Sequence, residues 1–206
     1  MPEGAAATAT GRATVTFTWP SRSRLIPLAA NAISVTLTQG AKTLTTQTLA
    51  RPATGNTATV TFNALPTGTL NVTATAYPNA DGTGTAQATA TTSIVIQANK
   101  NTPFSLTMGS TIDHLEVSPA NPTVSPGNTL PLTMTAKDAS GNVVLTSPSK
   151  MTWNSANTNV ATVDASGNLT GVNGGTAKIT VTETESGKSA TVTATVSGGD
   201  ANVTID

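Results

Sequence analysis

Ala13-Thr14-Val15-Thr16-Phe17-Thr18-Trp19 alternates without a break, with Ala, Val, Phe and Trp on one side and three threonines on the other. A period of two belongs to a strand with one face on a core and one in water, and β-branched Thr suits the wet face. The same alternation returns where Ile33, Val35 and Leu37 interleave with Ser34, Thr36 and Thr38. It predicts further strands near 43–49, 57–64, 69–77, 85–97 and 103–108. Turn residues separate these runs at Pro52 to Asn56, at Pro66-Thr67-Gly68 and at Asn79-Ala80-Asp81-Gly82-Thr83-Gly84. No stretch carries a helical period. About seven strands in some 100 residues is the arithmetic of a β-sandwich.

The second half alternates in shorter pieces. Leu115 and Val117 lead into Pro119, and Val124-Ser125-Pro126-Gly127 turns toward Leu130-Pro131-Leu132-Thr133-Met134-Thr135-Ala136. Then come Trp153-Asn154-Ser155-Ala156-Asn157, Val160-Ala161-Thr162-Val163-Asp164, Gly167-Asn168-Leu169-Thr170-Gly171 and Gly175-Thr176-Ala177-Lys178-Ile179. Asp138-Ala139-Ser140-Gly141-Asn142 recurs as Asp164-Ala165-Ser166-Gly167-Asn168, and both fit hairpin loops in which Gly takes positive φ. Trp153 is expected to be the largest buried side chain of this half.

Those blocks resemble the bacterial immunoglobulin-like domain, group 2, of intimin- and invasin-type surface proteins, over about 115–196. The resemblance implies structural roles: stalk, spacer and adhesion module on the outer surface. In the first half, Val60 to Ala74 with its Leu65-Pro66-Thr67-Gly68 link resembles prealbumin-like and collagen-adhesin B-type modules, although Leu70 stands where those usually carry an aromatic. Some such modules hold a Lys–Asn isopeptide staple beside a buried acid. The one acid between 11 and 110 is Asp81, in a turn, so no staple is expected. The fold expected is all-β, two tandem Ig-like sandwiches: an extension at 1–10, domains at 11–110 and 111–198, and a tail strand at 199–206.

Composition narrows the function. The 206 residues contain no Cys and one His, His114, which leaves no thiol chemistry and little material for a triad or a zinc site. Charged residues are 10% of the chain against roughly 25% in an ordinary globular protein. Thr and Ala together supply about a third of it. Acids and bases balance at ten each, so nucleic acid is not an expected partner. No apolar run is long enough to insert in a membrane. Met1-Pro2-Glu3-Gly4 is not a signal peptide, and the Thr-rich, Cys-free composition of a surface protein predicts a leader removed before this numbering begins. Asp113-His114-Leu115-Glu116 invites a metal reading, with His114 and Glu116 on one face of a strand. An exposed first strand is the plainer one, and no cofactor, metal or catalysis is expected.

The charge is unevenly placed. Residues 1–110 carry six bases (Arg12, Arg22, Arg24, Lys42, Arg51, Lys100) and two acids, a net of +4. Residues 111–206 carry four bases and eight acids, a net of −4. Opposite halves attract copies head to tail, and such heterologous contacts extend into filaments when they do not close into rings. Arg12, Arg22, Arg24, Arg51, Glu183 and Glu185 are the candidate charge contacts. Val203 and Ile205 alternate in a tail suited to pairing with a neighbour's sheet edge, and Val15, Phe17 and Trp19 form the alternative contact strand. The expectation is a structural subunit of an extracellular bacterial surface filament whose partner is itself, and possibly a host or neighbouring cell surface. The alternatives are a stalk segment of a larger adhesin, or a carbohydrate-binding accessory module, which would need exposed aromatics.

Overall fold

The computed structural model describes residues 9–19 and 27–198. Apart from one short 3₁₀ turn, Pro148–Lys150, every regular element among them is a strand. No helix is long and apolar enough to cross a membrane among the described residues. They divide into two compact units that part between Thr111 and Ile112.

The first unit holds β1 (Thr10–Thr18), β2 (Ala32–Gln39), β3 (Lys42–Ala50), β4 (Thr57–Pro66), β5 (Gly68–Tyr77), β6 (Ala88–Ile96), β7 (Asn101–Phe104) and β8 (Gly109–Ser110). A three-stranded sheet, β4-β1-β7, faces a five-stranded one, β3-β2-β5-β6-β8. The predicted alternation is the burial pattern: Val15, Phe62, Ile33, Val35, Leu37, Leu70 and Val72 point into one core, and Thr faces water. Leu70 fills the place of the expected aromatic and is fully buried. The Leu65-Pro66-Thr67-Gly68 link joins β4 to β5, with Gly68 at φ 108. Just before it, Asn63 and Ala64 bulge out of the ladder, because Gly11 pairs Leu65 while Ala13 already pairs Phe62. Ala64 takes a left-handed φ of 54 there.

The second unit is built from β9 (His114–Ser118), β10 (Thr123–Val124), β11 (Thr129–Pro131), β12 (Thr133–Lys137), β13 (Val143–Val144), β14 (Met151–Ser155), β15 (Ala161–Val163), β16 (Asn168–Gly171), β17 (Gly175–Glu183) and β18 (Ser189–Val196). Its sheets run β10-β18-β17-β14, β11-β16-β15 and β13-β12-β9 around a core with Ala161, Leu169, Ile179, Val181 and Ala194 at its centre. Trp153 departs from expectation. It is half-buried, since β14 is an edge strand, and its indole lies against the Gly167 turn, where an added Cβ would come within 3.1 Å of the ring.

The repeated Asp-Ala-Ser-Gly-Asn loops close alike. Asp138 Oδ1 accepts the backbone N–H of Ser140 and of Asn142, each at 2.9 Å, and Asp164 Oδ1 accepts those of Ser166 and Asn168 at the same distance. Gly141 and Gly167 take the predicted positive φ, 82 and 87. The neighbouring Asn side chain, then the backbone N–H groups, hold both carboxyls below the usual carboxylate range.

Candidate subunit-contact surfaces

The contact strand offered by Val15, Phe17 and Trp19 is not at the surface. β1 lies between β4 and β7, bonded to both, and these side chains are 1%, 4% and 1% exposed. The physical reason is their own alternation: three large apolar groups on one face form the cheapest core available to a chain with 3% aromatics. Phe17 and Trp19 meet edge to face, with ring centroids 6.5 Å apart. Trp19 Nε1 is buried without a hydrogen-bond partner among the described residues. The tail residues Val203 and Ile205, and the bases Arg22 and Arg24, lie outside the described residues.

The remaining charge contacts divide into engaged and available groups. Glu183 is 1% exposed and closes its own turn, accepting the N–H of Glu185 at 3.0 Å and of Ser186 at 2.6 Å. It has no face to offer a neighbour. Glu185 is largely buried and 4.0 Å from Lys150. Arg51 donates through Nη1 to the Leu28 carbonyl at 3.0 Å and is half-buried, which ties the end of β3 to the turn before β2. Arg12 alone of these four is exposed, and with Lys100 it lines a shallow cavity of about 350 Å³ at one end of the first unit.

The Asp113–Glu116 segment leads into β9, where His114 and Glu116 face outward and Leu115 is buried. His114 Nδ1 lies 3.0 Å from Asp113 Oδ2, and Nε2 lies 3.7 Å from Glu116 Oε1. Glu116 is already taken by the ammonium of Lys137 at 2.8 Å, which lowers its pKa. No group of three or more His, Cys, Asp or Glu able to hold a metal occurs among the described residues. The Asp81 loop is likewise a turn: Asp81 Oδ1 accepts the Thr83 hydroxyl at 2.6 Å and the Thr83 N–H at 3.0 Å.

What covers the outside of both units is hydroxyl. On the five-stranded sheet, Thr46, Thr36, Thr73 and Thr91 form one row across four strands, and Thr43, Thr38, Asn71 and Ser93 form the next. Hydroxyls pair across strands at Thr36–Thr46 (2.9 Å) and Ser34–Thr48 (2.7 Å). The opposite sheet repeats this at Thr16–Thr59 (2.7 Å) and Thr14–Thr61 (3.1 Å), and the second unit at Thr180–Thr191 (2.9 Å). Alternation alone predicts these threonines on the wet face. The burial of Glu183 is not predicted by it; the signal in the sequence is the Gly187 turn that draws β17 back toward β18.

A family model described as "Bacterial Ig-like domain (group 2)" matches residues 112–194. Ice-binding protein 1 of Shewanella frigidimarina is 36% identical over 86 residues, which is 42% of this chain and 10% of that protein. Among solved structures, domains 4 and 5 of the S-layer protein SbsC align with 66% of this chain and 60% of theirs, at 20% identity and a TM-score of 0.36. A 282-residue C-terminal fragment of intimin, solved with the intimin-binding domain of its translocated receptor, aligns with 81% of this chain and 52% of its own, at 21% identity and a TM-score of 0.34. Likenesses of that size assign neither function nor partner. The family match falls on one unit: over residues 112–194, within the second of two all-β units, this chain is similar to bacterial Ig-like domains of group 2.

Proposed function

We propose that this chain is a structural module of an extracellular bacterial surface, assembling with copies of itself head to tail into a filament. The observation that carries the reading is the exterior: strand after strand presents paired hydroxyls, while the charges divide by region. Among the described residues the first unit has four bases (Arg12, Lys42, Arg51, Lys100) and one acid (Asp81). The second unit has four bases and six acids. Opposite net charges bias encounters toward unlike ends, and the small charge total keeps the bias from becoming general stickiness. Backbone ladders between subunits would then bear load without any chemistry in the chain.

A second reading is favoured by one observation. The curated relative is matched over only 10% of its length, as expected of a module that recurs inside longer proteins. On that reading the two units are a spacer in the stalk of a larger adhesin. The accessory-module reading loses support: Trp19 is buried, and Tyr77 and Trp153 are half-buried, so neither a Trp nor a Tyr stands exposed as a sugar platform among the described residues.

Negative-stain microscopy and sedimentation velocity of the purified chain separate the two readings. Thin polymers whose length grows with protein concentration and shrinks with added salt are expected. A monomer at the highest soluble concentration would reject the filament and leave the stalk.

A further inference from the structure

Among the described residues the two sheets of the first unit differ in width, and the difference leaves one strand uncovered. On β2, Ile33, Val35 and Leu37 are all 0% exposed. Directly across from them on β3 stand Leu49, Gln47 and Thr45, on the same face of the sheet. Yet Gln47 is exposed, and Thr45 and Leu49 are only half-buried. The opposing sheet ends at β4, which among the described residues has a partner on one side only. Between β4 and β3 lies a groove of about 200 Å³ walled by Leu44, Thr45, Gln47, Phe62, Leu65 and Pro66.

Among the described residues the free side of β4 is unguarded. Thr57-Ala58-Thr59-Val60-Thr61-Phe62 holds no proline, glycine or charge, the usual devices that stop a strand edge from pairing with another chain. Protection begins only at the Asn63–Ala64 bulge. A strand laid beside Thr57–Phe62 would continue the β4-β1-β7 sheet and set alternate side chains over the bare face of β3.

We propose that this edge and groove receive residues Asp200 to Asp206 of a second copy. The inference rests on the head-to-tail reading and supplies its acceptor. Three features select that occupant. Val203 and Ile205 are two apart, so in an extended segment both fall on one face, toward Phe62 and Leu44, with Thr204 outward. Asp200 and Asp206 bracket the segment, and the unit that receives it has four described bases against one acid. Seven residues also match the six-residue open edge, whereas the edge of another β4 carries no acid to set against the four described bases of that unit.

The chain has no native cysteine, so pairs can be introduced one at a time. The 206-residue chain as Q47C and as I205C is mixed and treated with a short bis-maleimide, which alkylates one thiol at each end, beside a control pair of S93C with I205C, Ser93 lying on the outer face of β6. The groove pair should give at least ten times more cross-linked dimer than the control, and a chain carrying both substitutions should give a ladder of multimers. In parallel, a synthetic peptide of residues 199–206 is titrated into the chain lacking 200–206, followed by amide hydrogen exchange. Protection confined to Thr57–Phe62 and its surroundings is expected. Equal cross-linking at Ser93, closure within single doubly substituted chains, or exchange unchanged by saturating peptide would each overturn the proposal. Polymers that persist without 200–206 would overturn the groove while leaving the filament. Peptide protection in a chain that never polymerises would support the groove and remove the filament.

Discussion

In the first unit β5 runs ten residues between two partners, β2 and β6, whereas in the second β10, β11 and β13 last two or three residues each. Both units bury a core without a disulfide. The first does so through long alternation: once one residue is in register, the rest of the strand follows, and cross-strand hydroxyl pairs lock the outside. In the second, strands that short cannot fix their own register, and side chains in the turns do it instead. Asp138 and Asp164 each collect two backbone N–H groups, and Glu183 does the same from inside the protein. Specification sits in long strands throughout the first unit, whereas in the second the β17–β18 ladder shares it with the turns.

Substitutions can break or sharpen that contrast, and the two tryptophans, Trp19 and Trp153, give one fluorescent reporter per unit. The largest effects belong to the cores. Phe62→Ala should cost about 3–5 kcal/mol and Ile179→Ala about 2–5 kcal/mol, each lowering the transition of its own unit when followed in variants that retain one tryptophan. If either substitution moves both transitions equally, the units are not independent and the comparison fails.

Next come two glycines with the same conformation and different surroundings. At Gly141, φ +82, a Cβ meets nothing within 4 Å, so Gly141→Ala should cost only the left-handed strain, about 1–2 kcal/mol. At Gly167, φ +87, a Cβ would stand 2.8 Å from the Leu132 carbonyl oxygen and 3.1 Å from the Trp153 ring. Gly167→Ala should therefore exceed Gly141→Ala by about 1–3 kcal/mol in chemical denaturation, and should shift Trp153 emission. Equal costs would place the burden on backbone strain alone.

Acid should distinguish the units more gently. The turn carboxyls Asp138 and Asp164, and Glu116 beside Lys137, have lowered pKa values in the fold. The folded state therefore binds fewer protons than the unfolded one in that range. Their stabilisation is complete above the ordinary carboxylate range and is lost as pH falls through the lowered values. In the first unit, Asp81 is the one described carboxyl with this shift. Thermal melts between neutral pH and acid should show the second unit losing more, and Asp138→Asn with Asp164→Asn should flatten its acid limb. The smallest effect expected is a coupling of about 0.2–1 kcal/mol between Thr36→Val and Thr46→Val in a double-mutant cycle, with additivity arguing that the paired hydroxyls are bystanders.

Much of this architecture could be read from residue order because alternation and turn chemistry are local. The Ala13–Trp19 face, the rows of threonine and the twin Asp-Ala-Ser-Gly-Asn loops needed only spacing. What escaped were properties set by neighbours distant in sequence. Trp153 looks like a core centre until β14 proves to be an edge. Glu183 looks like a surface charge until its own turn folds over it. Arg51 reads as free charge, yet the Leu28 carbonyl holds it. That β4 ends its sheet among the described residues is an attribute of sheet width, which no single segment encodes.

The hydroxyl rows have a consequence in changing media. Charged exteriors gain and lose attraction as ionic strength shifts, because mobile ions screen them within about 10 Å at 0.1 M salt. Thr36, Thr46, Thr73 and Thr91 offer almost nothing to screen or to titrate. The broad sides of such a protein would keep the same wettability in fresh water and in brine. Only the few sites where carboxylates and ammonium groups gather would register the difference.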